Sequence, residues 1–248
     1  MTSRARSVGI LTLAVVYGVM WVGGVSAYVF RGGPAAHEAW TAPAFLALAA
    51  SIVFITTPRG NAGWLVAVLA AGFASEYGGV RCGCVFGAYE YTTALRPAVL
   101  GVPLVMSAAW MVLIAYVQQL RVARGWRGPG AAVLAAAWMT TIDLVLDPVA
   151  AGPLGYWRWQ QPGAWFGIPL SNFAGWFVVS LAIFAALSRA TPWHRNPWAR
   201  AVGITIVAFF TIIAGSYRLF VPAAVGALLC AADVWVGRRQ SLSASPGR

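Results

Sequence analysis

The chain has 248 residues, of which 60% are hydrophobic and only 9% are charged. Soluble domains carry about 25% charged residues, so this composition excludes a soluble globular protein. The net charge of +11 comes from arginines that stand singly or in small groups at the ends of apolar runs. This distribution is typical of membrane orientation signals and argues against nucleic-acid binding.

Apolar runs long enough to cross the ~30 Å hydrocarbon core divide the chain into eight predicted spans. The first follows Arg4 and Arg6 and exceeds the apolar region of a signal peptide, so we expect it to be a spanning helix. Only residues 216–218 separate the last two, which leaves seven spans as an alternative. The predicted spans are 7–30, 41–57, 62–80, 98–120, 130–149, 169–188, 201–217 and 219–236. We expect an all-α, polytopic transmembrane bundle that forms one domain over residues 1–248.

The arginines predict the orientation of this bundle in the cell membrane. With the N-terminus in the cytoplasm, twelve arginines fall inside and five outside. This excess predicts that both termini are cytoplasmic. The loops at 81–97 and 150–168 then lie on the outer side, and the unusual polar and aromatic residues collect between about 70 and 180.

The three cysteines give no sign of a disulfide framework. Cys82 and Cys84 lie two residues apart, and Cys230 lies in an apolar run. No group of His, Cys, Asp or Glu has the spacing of a metal site. We therefore expect neither a structural disulfide nor a metal or other cofactor.

Four carboxyl groups near the outer ends of the spans are candidate catalytic residues. They are Glu76, Glu90, Asp143 and Asp147. An ionisable group inside a span costs about 2.5–3.5 kcal/mol and suggests a function. Asp143 and Asp147 are four residues apart on one helix face, where two like charges repel and would share a proton. Structural alternatives stay open, because Arg81 could pair with Glu76, and Arg81 and Arg158 could pair with the aspartates.

The segment 152–176 is unusually rich in aromatic residues and glycines. An interfacial belt explains the aromatic residues but not the glycines. Non-helical backbone at membrane depth is stable only where it is buried in protein or lines a cavity. Such a cavity would suit a long conjugated or isoprenoid ligand, and aromatic faces could stabilise a cation formed in it. The candidate ligand-binding residues are Tyr89, Tyr91, Trp157, Arg158, Trp159, Trp165, Phe166, Ser171, Asn172 and Trp176.

Taken in order, six motifs resemble the integral-membrane carotenoid biosynthesis proteins of the carotenoid 1,2-hydratase and bisanhydrobacterioruberin hydratase type. The motifs are Glu76 with its following glycines, "FGAYEYT" (86–92), "GVPLVMSAAW" (101–110), "DLVLDP" (143–148), "YWRW" (156–159) and "WFGIPLSNFAGW" (165–176). The resemblance covers roughly residues 70–180 in motifs and the whole chain in size and number of spans.

This resemblance implies addition of water to the terminal C1–C2 double bond of an acyclic carotenoid. Protonation of the alkene would form a tertiary cation, which water captures without a cofactor. We expect Asp143 or Asp147 to donate the proton. The expected partners are the carotenoid, water and the lipid bilayer, with other carotenoid-pathway enzymes as further candidates.

The other polar residues receive roles that follow from the same chemistry. Glu76 or Glu90 would act as base for the attacking water. The Ser171 hydroxyl and the Asn172 amide would orient that water. Arg158 would keep one aspartate ionised, and the aromatic residues would surround the cation.

Two other functions fit the same residues. A membrane carotenoid cyclase of the lycopene type would start with the same protonation, but an internal double bond would capture the cation. A carotenoid or lipid binder, or a transporter, would need no acid, although transporters place polar residues near the membrane midplane. Here the polar residues lie at one end of the spans, which favours an enzyme.

Overall fold

The computed structural model describes residues 3–189 and 192–243, so Arg248, one of the predicted inner arginines, lies outside the described residues. The described residues contain eight helices long and apolar enough to cross a membrane, which confirms the nearly all-α, eight-span fold. The helices are α1 (Ser3–Arg31), α2 (Thr41–Thr56), α3 (Arg59–Cys82), α4 (Leu104–Arg124), α5 (Pro129–Ala151), α6 (Leu170–Leu187), α7 (Pro197–Ser216) and α8 (Phe220–Ser243).

Four short strands lie in the loops beside these helices. They are β1 (Tyr89–Tyr91), β2 (Ala98–Val99), β3 (Val102–Pro103) and β4 (Trp157–Trp159). Strand β1 pairs with β4, and β2 pairs with β3, both antiparallel. The fourth span therefore begins later than the predicted residue 98, because residues 98–103 form a tight hairpin that turns at Leu100 and Gly101.

The loop after α3 contains a disulfide that the sequence analysis did not predict. Helix α3 ends at Cys82, because the next residue, Gly83, has a positive φ of 63°. Cys82 and Cys84, on either side of Gly83, are joined by an S–S bond of 2.02 Å. The expectation of no structural disulfide is therefore corrected. A Cys-x-Cys pair was overlooked because it closes no long loop.

The bundle is built around α4, which is the most buried of the eight spans, whereas α1 is the least buried. Helix α4 packs against α2, α3, α5, α7 and α8, and the consecutive pairs α3–α4, α5–α6 and α7–α8 are also in contact. This arrangement brings the C-terminal ends of α3 and α5 and the N-terminal ends of α4 and α6 to one end of the bundle, called here the site end.

Two carboxyl groups elsewhere in the chain have arginine partners. Glu38 pairs with Arg31 (Oε2–Nη2 3.3 Å), and Asp233 pairs with Arg200 (Oδ1–Nε 3.1 Å). Tyr116 also donates a hydrogen bond to Asp233 (3.3 Å). Glu38 and Asp233 are therefore members of structural ion pairs.

Close packing of α7 on α4 predicts that Gly203→Ala destabilises the protein. A Cβ at Gly203 would overlap the Cβ and ring of Tyr116, and neither backbone is free to move apart within the bundle. Overpacking of this kind costs about 1–3 kcal/mol. We expect a lower thermal unfolding temperature for the purified protein in detergent.

Gly215→Ala in the same helix is the matched control, since no described atom lies within 4 Å of the added Cβ. This variant should unfold at or slightly above the parent temperature, because alanine favours the helix by up to about 1 kcal/mol over glycine. Equal unfolding temperatures for the two variants would contradict the tight α4–α7 contact.

Candidate active site

Two loops cover the site end of the bundle and are held together by the ladder between β1 and β4. Tyr89 lies opposite Trp159, and Tyr91 lies opposite Trp157. Beyond the ladder, Thr92 donates its hydroxyl to the carbonyl of Gly155 (2.8 Å). Because side chains alternate between the faces of a strand, all four of these aromatic rings point to one face, toward the helix ends.

Glu76, near the end of α3, is buried and is held by three neutral donors. Its Oε2 accepts hydrogen bonds from the hydroxyls of Tyr89 (2.5 Å) and Tyr91 (2.6 Å), and its Oε1 accepts one from the indole N–H of Trp110 (2.8 Å). The side chain is only 4% exposed. The donors come from β1 and α4, so Glu76 ties one covering loop to two helices.

The two tyrosines beside Glu76 remain hydrogen-bond donors at physiological pH. Burial, reinforced by the nearby Glu76 carboxylate, raises the pKa of Tyr89 above its ordinary value. The same causes raise the pKa of Tyr91. Both phenols therefore keep their protons and can donate them in hydrogen bonds to Glu76.

Asp143 and Asp147 lie on one face of α5, as their spacing predicted, and share one donor from α6. The amide nitrogen of Asn172 lies 2.6 Å from Oδ2 of Asp143 and 2.5 Å from Oδ2 of Asp147. The indole N–H of Trp157 donates to the other oxygen of Asp147 (2.8 Å). Asp143 and Asp147 are 2% and 1% exposed, so both carboxyl groups depend on these protein donors rather than on solvent.

Glu76 and Asp147 line the same small cavity, which has a volume of about 20 Å³. A cavity of this size holds about one water molecule. Among the predicted site residues, those that line it are Glu76, Tyr89, Tyr91, Asp147, Trp157, Trp159, Asn172 and Trp176. Asp143 does not line the cavity but shares the Asn172 donor with Asp147. The cavity, called here the site cavity, is therefore lined by two carboxyl groups, one amide and mostly aromatic rings.

No arginine forms an ion pair with Glu76, Asp143 or Asp147 in the part of the chain that the structure describes. The described residues also contain no group of three or more His, Cys, Asp or Glu side chains placed to bind a metal. The three carboxyl groups, called here the acidic cluster, are thus surrounded by neutral donors. This arrangement can hold and transfer protons beside an apolar surface.

Two charged residues of the predicted site lie on the opposite face of the β1–β4 ladder. Glu90 and Arg158 face each other in the register, and both are exposed. Neither side chain lines the site cavity, so their positions do not support the expectation that Glu90 acts as a base and that Arg158 compensates an aspartate. The sequence itself indicates this arrangement. Rings and charges alternate in Tyr89-Glu90-Tyr91 and in Trp157-Arg158-Trp159, and alternate residues of a strand point to opposite faces.

Three further predicted residues support the covering loop instead of lining the cavity. Trp165 donates its indole N–H to the carbonyl of Leu144 in α5 (3.1 Å), and Ser171 donates its hydroxyl to the carbonyl of Phe86 (3.1 Å). Phe166 is 44% exposed. The expectation that these residues contact a ligand, and that Ser171 orients a water, is therefore not supported by their positions.

Sequence reasoning missed three residues that complete the cavity or hold its walls. Phe86 and Met106 line the cavity. Trp110 binds Glu76 and stacks on Trp176, with 4.3 Å between ring centroids. Phe86 and Trp110 stand in the motifs 86–92 and 101–110, but nothing in an apolar helix such as α4 distinguishes a tryptophan that donates to a carboxylate from one in the core.

Comparison with known proteins shows the family to which the chain is similar. The family model described as "Carotenoid biosynthesis protein" matches residues 39–232. The chain is also 30% identical over 194 residues to the bisanhydrobacterioruberin hydratase of Haloarcula japonica. The matched region covers 70% of this chain and 63% of that protein, so the chain spans less than two thirds of this relative's length. No solved structure matches the chain significantly.

The bridge between the two aspartates predicts that Asn172→Leu destabilises the protein. Leucine has nearly the same size but leaves two buried carboxyl groups without their shared donor, which costs about 1–3 kcal/mol. Ser171→Ala is the control, since it removes a hydroxyl outside the acidic cluster and should change stability by less than about 1 kcal/mol. Thermal unfolding in detergent measures both variants, and an Asn172→Leu protein as stable as the parent would show that the amide does not bridge the pair.

Proposed function

Because the chain belongs to the family of carotenoid biosynthesis proteins, we propose that it is a carotenoid hydratase. It adds water to the terminal C1–C2 double bond of an acyclic carotenoid and forms a tertiary alcohol. The observation that carries the proposal is the site cavity, where Asp147 and Glu76 face a space for one water among aromatic rings. The name of the relative, a hydratase, supports hydration as the class of reaction. The geometry of the site cavity supports the residue roles given below.

Asp147 is the proton donor in this proposal. It lines the cavity, whereas Asp143 stands behind it and is bridged to it by Asn172. The two aspartates share one proton, because two negative charges so close together in a buried site repel. The proton passes from Asp147 to C2 of the alkene. The amide of Asn172 and the indole N–H of Trp157 donate to the Asp147 carboxylate that remains, and the cation formed beside the pair offsets its second negative charge.

The aromatic walls stabilise the tertiary cation that protonation leaves at C1. Trp157, Trp159 and Trp176 line the cavity. The face of an indole attracts a cation more strongly than other aromatic rings do.

Glu76 is the base for the water that captures the cation. Three neutral donors hold its side chain, and it lines the same cavity as Asp147. As the water oxygen bonds to C1, one of its protons passes to Glu76. A second water entering the cavity can then carry that proton from Glu76 back to the aspartate pair, so that each cycle consumes one water and regenerates the enzyme.

A specific observation favours hydration over cyclisation. A cyclase must keep water away from the cation, whereas this cavity has room for about one water between two carboxyl groups. A second carboxylate is needed to accept a proton from attacking water. The carotenoid cyclase therefore remains the alternative against which the product must be tested.

Expression of the chain in cells that accumulate lycopene should yield pigments heavier by the mass of one or two waters. Mass spectrometry of the extracted pigments measures this directly, with cells carrying an empty vector as control. A product of unchanged mass but altered absorption spectrum would identify a cyclase and contradict hydration. Unaltered lycopene in cells that contain the full-length protein would contradict both reactions.

Asp147→Asn should abolish hydration, whereas Glu90→Gln should leave it unchanged. Loss of a general acid costs about 10²–10⁴-fold in rate. Glu90 is exposed on the far face of the ladder, so its replacement controls for a change of one carboxylate to an amide in the same region. The hydrated fraction of lycopene, divided by the amount of protein in the membrane, gives the comparison. Hydrated carotenoid from a protein with both Asp143 and Asp147 replaced by Asn would end the assignment of the acid.

A further inference from the structure

A second and much larger cavity lies between α1, α2 and α7, and is called here the chamber. Its volume is about 220 Å³, against about 20 Å³ for the site cavity. It occupies the half of the bundle nearer the site end, since its walls include the last turns of α1 and the first turns of α2. The site cavity can hold water, but the chamber has room for part of a larger molecule.

The walls of the chamber suit a conjugated hydrocarbon. They include the rings of Phe45, Phe209 and Phe210, and those of Phe45 and Phe209 stack with 5.7 Å between centroids. Its charged lining residues, Arg31 and Glu38, form an ion pair with each other and so leave no unpaired charge for a polar ligand. Apolar surface is therefore what the chamber offers to an occupant.

Contacts between lining residues connect the chamber to the site cavity. Leu46 and Tyr156 line the chamber and also pack against the cluster of Leu95, Val105 and Met106, and Met106 lines the site cavity. Tyr156 further contacts Trp157, with 6.3 Å between ring centroids, and Trp157 holds Asp147. The lining of the chamber thus contacts the lining of the site cavity through Tyr156 and Trp157 and through the cluster that contains Met106.

We propose that the chamber binds the polyene chain of the substrate, while the end group passes Leu46, Met106 and Tyr156 to reach Asp147. This inference rests on the hydratase function proposed above and adds the site for the rest of the substrate. A long apolar molecule with its reacting end at the acidic cluster needs an apolar space that continues from the site cavity. Such a space is provided here by the chamber. The competing occupant is the acyl chain of a membrane lipid.

Gly23→Trp tests the proposal by filling the chamber from α1. Gly23 lines the chamber, and a Cβ placed there meets no described atom within 4 Å, so a larger side chain fits without a backbone clash. Gly18→Trp is the matched control, because Gly18 lies in the same helix, is equally open and does not line the chamber. Gly23→Leu gives a smaller step in case the tryptophan variant does not accumulate.

Two quantities are measured for each full-length variant in lycopene-accumulating cells. The first is hydrated carotenoid per amount of protein, and the second is the pigment that co-purifies with the protein. Gly23→Trp should lower both by about tenfold or more, as expected when a substrate loses its apolar pocket. Gly23→Leu should give an intermediate loss, and Gly18→Trp should resemble the parent.

The outcomes separate this inference from the proposed function. Hydration and pigment binding that are equal in Gly23→Trp and Gly18→Trp overturn the chamber proposal and leave the hydratase standing. A second outcome is that acyl lipid co-purifies with the parent and is lost in Gly23→Trp, while hydration persists. This result would assign the chamber to lipid and would also overturn the chamber proposal. A parent that binds lycopene but does not hydrate it, with binding lost in Gly23→Trp, supports the chamber and refutes the reaction. A parent that neither binds nor hydrates lycopene refutes both.

Discussion

Three carboxyl groups are buried at one end of this bundle, and neutral N–H and O–H donors hold them in place of arginines. Burying a charge in a protein interior costs several kcal/mol unless hydrogen bonds compensate it. The compensation comes from different parts of the chain: Trp110 of α4 and two tyrosines of β1 serve Glu76, while Asn172 of α6 and Trp157 of β4 serve the aspartates. The acidic cluster therefore determines how the helix ends and covering loops must meet, since a displaced element would leave a carboxyl group without its donor.

The short ladder between β1 and β4 is the element that meets this requirement. Its alternation sends four aromatic side chains inward and sends Glu90 and Arg158 outward. All four rings line the site cavity, and Tyr89, Tyr91 and Trp157 donate a hydrogen bond to a carboxyl group. A helix in the same place would spread these residues around its surface. Two extended segments present a dense row of donors and rings on one face, and they form the wall between the cluster and the outside of the bundle.

The fold was largely predictable from the sequence because membrane spans depend on local composition, and eight apolar runs became eight helices. Several residues that line the site cavity could be named from the sequence, but their contacts could not. The spacing of Asp143 and Asp147 predicted a shared helix face, and the aromatic segment predicted a cavity. The partners of Glu76 could not be predicted, because the distance in sequence between Glu76 and Trp110 says nothing about contact between α3 and α4. Arg158 was assigned by charge alone, although its position between two inward rings indicated the opposite face.

The exposed position of Arg158 makes the proposed chemistry more favourable than an arginine beside the aspartates would. An arginine beside the aspartates would hold them ionised and would also repel the tertiary cation, since two like charges about 4 Å apart repel by several kcal/mol even at an effective dielectric constant near 20. Indole faces and carboxylates attract that cation instead. A cluster balanced by neutral donors can keep one proton available, give it to a hydrocarbon, and surround the resulting charge with groups that stabilise it. The neutral surroundings that hold the acids in the fold are the same surroundings that protonation of an alkene requires.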